Sequence, residues 1–67
     1  MRGLMMYRVK IYRDEEMIGS FIEDLMSRAV DRAKKFGKRN DDVYVYEVIQ
    51  TADGLFDELR CVLKTTL

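Results

Sequence analysis

Only one stretch of this chain has the period of a helix, and alternating runs lie on both sides of it. Within residues 24–37, DLMSRAVDRAKKFG, Leu25, Met26, Ala29, Ala33 and Phe36 fall in roughly one third of a helix circumference, with Val30 at the edge. Arg28, Asp31, Arg32, Lys34 and Lys35 take the opposite arc and face water. Asp24 is placed to cap the first turn, and Gly37 to end the helix in the left-handed conformation. A single two-faced helix covers one face of a sheet. The other face must then be stable against water or against a partner.

The flanking runs supply the sheet. From Tyr7 the chain alternates, with Tyr7, Val9 and Ile11 on one side and Arg8, Lys10 and Tyr12 on the other, which is the pattern of a half-buried strand. Residues 1–6 carry no period and are expected to form a frayed terminus. Residues 16–22 have two readings. With Asp14-Glu15 as a two-residue hairpin loop, they form a second strand in which Ile18 faces Ile11, Ser20 faces Val9 and Ile22 faces Tyr7. Alternatively, Ser20 and Glu23 form a capping box and the helix begins at Phe21.

Beyond the polar connection 38–42, two β-rich runs flank Thr51-Ala52-Asp53-Gly54, and Asp-Gly between such runs predicts a type I′ hairpin. Pairing Ala52 with Leu55 sets Val48 opposite Leu59, Glu47 opposite Arg60, Tyr46 opposite Cys61, Val45 opposite Val62 and Tyr44 opposite Leu63. In that register Tyr44, Tyr46, Val48, Leu59, Cys61 and Leu63 join Tyr7, Val9 and Ile11 beneath the helix. The open face then carries Arg8, Lys10, Tyr12, Met17 and Phe21 with Val43, Val45, Glu47, Ile49, Glu58, Arg60, Val62 and Lys64. The expected fold is α+β: one small domain over residues 1–67, an antiparallel sheet of three or four strands with one helix on one face, in the order ββαββ or βαββ.

Composition narrows the function classes. A chain of 67 residues buries only ~60% of the surface its unfolded form exposes, so its core is small and a ligand pocket inside it is not expected. One cysteine and no histidine provide neither an internal disulfide nor a zinc or haem spacing, and no cofactor is expected. Paired carboxylates at 14–16, 41–42 and 57–58 sit in or beside turns, where acids are solvated. With no histidine, phosphate loop or nucleophile elbow beside them, the chain reads as a non-enzyme. Cys61 is expected to pack in the core as a small apolar residue. No run approaches the length of a membrane span, and the lone thiol suits a cytoplasmic location.

Charge is balanced, with 12 Lys and Arg against 12 Asp and Glu, so nothing draws the whole chain to nucleic acid. The uncovered sheet face is the better candidate. Apolar residues rimmed by both charge signs suit a protein contact, and Arg8, Lys10, Tyr12, Met17, Phe21, Val45, Glu47, Arg60 and Val62 are the candidate partner-binding residues. The partner is another protein or a second copy of this chain, engaged by that face or by an edge strand. The alternative is a nucleic-acid contact through Arg28, Arg32, Lys35, Lys38 and Arg39. In size, composition and element order the chain resembles the small accessory proteins that bacteriophages and other mobile elements encode to bind and inhibit a host protein. That likeness covers the whole chain in general character and implies a protein partner.

Overall fold

The computed structural model describes residues 4–67, and the order is ββαββ. The strands are β1 (Met5–Arg13), β2 (Glu16–Glu23), β3 (Asp42–Gln50) and β4 (Phe56–Thr66), with α1 (Met26–Phe36) between β2 and β3. They form one antiparallel sheet in the order β2-β1-β3-β4. Residues 16–22 are therefore strand, and Ser20 and Glu23 form no capping box. Met5 and Met6, expected in a frayed terminus, are the first residues of β1, because β3 extends far enough to pair them with Ile49 and Val48. Residues 1–3 lie outside the described part.

Asp14 and Glu15 make the two-residue loop of the first hairpin, both in the left-handed region at φ 52° and 68°. Arg13 pairs with Glu16 and Tyr12 with Met17, but the register then shifts so that Ile11 meets Gly19 and Val9 meets Phe21. The extra residue is Ile18. Ile18 and Phe21 are three residues apart, a spacing that puts them on opposite faces of a regular strand. The bulge lets both pack against the same core, so Phe21 lies under the helix and not on the open face.

The second hairpin turns over three residues, not two. Thr51 N–H donates to the Leu55 carbonyl at 2.8 Å, Gly54 N–H donates to the Thr51 carbonyl at 3.0 Å, and Gly54 alone takes a left-handed φ, 85°. This is a type I turn followed by a left-handed glycine, the three-residue alternative to type I′. Two bulges in β4 follow. Val48 meets Glu58, Glu47 meets Arg60, Tyr46 meets Cys61 and Val45 meets Leu63, leaving Leu59 and Val62 as the extra residues. The expected Glu47–Arg60 and Tyr46–Cys61 pairs hold between the bulges. The pairs of Val48 with Leu59, Val45 with Val62 and Tyr44 with Leu63 do not.

These registers exchange the expected faces of β3. Val9 pairs with Val45 and Ile11 with Val43, and all four are buried beneath α1 together with Ala29 and Ala33. Tyr44 and Tyr46 pair with Lys10 and Arg8 and face away from the helix. A valine has no polar atom to satisfy, whereas a tyrosine hydroxyl needs water or a partner, so the valines go in and the tyrosines out. Cys61, opposite Tyr46, is exposed. Val48 is wholly buried although its register sets it on the tyrosine side.

The helix begins at Met26 without a side-chain cap, and Asp24 instead pairs with Arg28 at 3.2 Å. Gly37 ends it in an extended conformation, φ −79°, not in the left-handed one. Leu25 and Phe36 are each 51% exposed, so the buried stripe is narrower than the periodicity implies. Phe36 nevertheless meets Phe21 edge-on, ring centroids 6.3 Å apart and planes at 64°, and its ring comes within 2.5 Å of where a Cβ on Gly19 would stand. Glycine at position 19 leaves the space on β2 that the Phe36 ring fills. No helix of the described residues is long and apolar enough to cross a membrane.

Eleven helical residues span about 16 Å in a molecule 41 Å long. The helix lies chiefly over β1 and β2, which leaves much of the β3–β4 ribbon uncovered on the same face. The core is therefore the small set of valines, alanines and one isoleucine above. Val45→Ser removes buried methyl groups and adds a hydroxyl with no partner, and is expected to destabilise the fold by about 3 kcal/mol in urea unfolding. A loss well under 1 kcal/mol contradicts the core assignment of Val45.

Candidate functional site

The face away from α1 is built from β1 outward. Arg8, Lys10 and Tyr12 alternate along β1, and the register brings Tyr46, Tyr44 and Asp42 of β3 beside them. On the other flank Met17 stands opposite Tyr12 and is 51% exposed. Cys61, Lys64 and Thr66 of β4 continue the face beyond β3.

Its groups are joined into a network. The Lys10 ammonium lies 4.7 Å from the Tyr46 ring centroid and 2.8 Å from Glu58 Oε1, and Arg8 Nη1 reaches the same oxygen at 3.1 Å. The hydrogen bond from Lys10 holds the Glu58 carboxyl below its ordinary pKa, and the same bond raises the Lys10 ammonium. Burial pushes the Tyr46 phenol up. Tyr12 and Tyr44 meet edge to face, centroids 5.5 Å apart at 87°, and the Lys64 ammonium lies 5.5 Å from the Tyr44 ring centroid. At the turn end of the hairpin this face forms a shallow depression of about 310 Å³, lined by Tyr12, Tyr44, Tyr46, Glu15 and Asp42.

Of the expected partner-binding residues, the structure brings Arg8, Lys10, Tyr12 and Met17 together here. It sends the other five to the helix side. Val45 is fully buried, Phe21 and Val62 pack against the core, and Glu47 pairs with Arg60 at 2.5 Å opposite Tyr7. Tyr44, Tyr46, Glu15 and Asp42 were not among the expected residues. The clue to the two tyrosines was their alternation with Val43 and Val45, since the hydroxyl-bearing pair suits the wet face.

The cations considered for nucleic acid divide. Arg28 is paired with Asp24, and Arg32 is paired with Glu23 at 2.9 Å and lies 4.3 Å from the Phe21 ring centroid. Lys38 and Arg39, with Lys34, border a second depression of about 450 Å³ floored by Val30, Ala33, Val43, Leu63 and Leu67. Lys35 is exposed in the last helical turn and does not line it. Both depressions open to the surface, and the second has the core residues Ala33 and Val43 in its floor.

The loop carrying Lys38 and Arg39 is held by Asp41, which was expected to be a solvated turn acid and is instead only 1% exposed. Its carboxylate accepts Arg13 Nε and Nη2 at 2.8 Å each and the Lys38 N–H at 2.7 Å. The turn between Lys38 and Asp41 closes at 3.0 Å through Asn40 at φ 77°, a left-handed conformation that asparagine tolerates. No protein-family model, curated protein or solved structure matches this chain.

The Arg13 guanidinium, followed by the Lys38 N–H, lowers the Asp41 carboxyl from 3.8 to about 2. The unfolded chain takes up that proton near 3.8, so the ion pair stabilises fully above that pH and the contribution is lost as the pH falls through about 2. Urea unfolding between about pH 5 and pH 2 is expected to show stability falling with pH, and Asp41→Asn to flatten that slope. An unchanged slope in Asp41→Asn assigns the acid sensitivity to other carboxylates.

Proposed function

We propose that this chain is a small non-enzymatic protein-interaction module that works in the cytoplasm by occupying a surface of a partner protein. The observation that carries the reading is the make-up of the face that no helix covers. Three tyrosines, an exposed methionine and an arginine stand side by side on a flat, hydrogen-bonded scaffold. Tyrosine, methionine and arginine are the residue types enriched where protein surfaces meet, and rigid aromatic groups lose little freedom on binding.

The same face is poorly suited to phosphate. Glu58 neutralises Arg8 and Lys10, and Asp42 and Glu15 add negative charge at one end. The carboxylates also favour a binding role over a catalytic one, since Asp41 is locked by Arg13 and Glu58 is held by two cations. The single exposed thiol of Cys61 supports a reducing compartment. Occupying a host surface is also how the small mobile-element proteins that this chain resembles act.

The test is capture from lysate of the source cell or its host with the tagged chain, with and without nuclease, repeated with Tyr12→Ser and Met17→Lys. One stoichiometric protein that survives nuclease and is lost in the variants is the expected result, Tyr12 alone contributing about 2 kcal/mol. Circular dichroism and melting confirm that the variants remain folded. Capture retained by both folded variants, or lost on nuclease treatment, overturns the proposal, and the second outcome points to the cations around Lys38.

A further inference from the structure

The depression at the turn end of the open face has a lining with a definite chemistry. Its five residues are three tyrosines and two acids, with no cation among them. Tyr12 and Tyr44 stand almost perpendicular, at 87°, so one ring offers its edge to the other and the pair forms two walls of a corner. Asp42 lies directly across from Tyr12 in the β1–β3 register, and Glu15 comes from the hairpin loop beyond it.

The surrounding face shows what such rings attract. Lys10 lies over Tyr46 and Lys64 over Tyr44, both from this chain, whereas among the described residues no cation lies over Tyr12. A ring face is electron-rich and holds an ammonium by its quadrupole, more strongly when water is partly excluded. Carboxylates at the rim add Coulombic attraction and disfavour an anion. A volume of about 310 Å³ admits a methylated ammonium with its alkyl stem.

We infer that the corner formed by Tyr12, Tyr44, Tyr46, Glu15 and Asp42 is a binding site for an alkylammonium group, offered by a lysine side chain or carried by a small quaternary amine. The inference rests on the reading of this face as the contact surface and names the group it receives. The alkyl stem packs on the rings, the charge sits between ring face and carboxylate, and binding weakens with salt only modestly because the rings exclude part of the solvent.

The test is an NMR titration of the full chain, following the Tyr12 and Tyr44 ring protons. Choline is compared with its neutral isostere 3,3-dimethylbutan-1-ol, and a short blocked peptide containing lysine with the same peptide containing norleucine. Saturable ring shifts with choline or the lysine peptide up to about 50 mM, absent with the neutral counterparts, are expected. The tighter of the two charged probes identifies the source as a free amine or a partner's side chain. Asp42→Asn and Tyr12→Leu are each expected to weaken binding by about threefold to tenfold.

Equal response to charged and neutral probes, or none to any, overturns the inference. That comparison needs only the native chain and stands even if a variant fails to fold. The two proposals also separate. Capture that depends on Tyr12 and Met17 while both charged probes are silent leaves the interaction face standing and removes the ammonium site, and charge-selective probe binding without capture does the reverse.

Discussion

Asp41, buried just before β3, binds three other parts of this small protein. Asp41 receives the end of β1 through Arg13 and the end of the helical connection through the Lys38 N–H, while its own carbonyl accepts the Leu67 N–H at 2.9 Å beyond β4. Asn40 N–H returns a bond to the Leu67 carbonyl at the same distance. The apolar core is small here, and directional bonds add to the packing of Val43, Ala33 and Leu67. Removing Arg13 leaves the Asp41 carboxylate buried with part of its bonding lost, whereas Arg13, whose side chain is 40% exposed, meets water without Asp41, so the cost of breaking the pair falls on the acid.

The ββαββ order was legible because it rests on local chemistry. Asp14-Glu15 and Asp53-Gly54 mark turns by their backbone needs, and the helical period of residues 24–37 differs from the alternation around it. The three bulges were not legible, because each answers to tertiary packing and slips the pairing by one residue. Their effect on the site follows residue by residue. Met17 precedes the bulge at Ile18 and faces as its alternation says, while Phe21 follows it and faces the other way. Val45 was misplaced by a different route, since six apolar residues aligned on one side in an unbroken register and that alignment outweighed the difference between valine and tyrosine.

A helix too short and narrow for its sheet accounts for both surfaces. On the helix side it leaves an apolar strip next to Lys34, Lys38 and Arg39. On the other side none of the described residues forms a covering layer, and the chain meets water there with amphipathic groups. Lysines lying on tyrosine rings and a glutamate shared by two cations keep that face ordered without a covering layer. The arrangement holds the rings in fixed positions in the chain by itself.

β4 is eleven residues long and among the described residues has no neighbour on its outer side, which makes it the natural template for adding foreign strands. Its bulges at Leu59 and Val62 lie within four residues of each other and interrupt the row of outward-pointing amide and carbonyl groups twice. A flat strand approaching that edge keeps register for only a few bonds before it meets a kink. The same irregularities that shift side chains between faces thus make the longest strand a poor template for fibrous stacking.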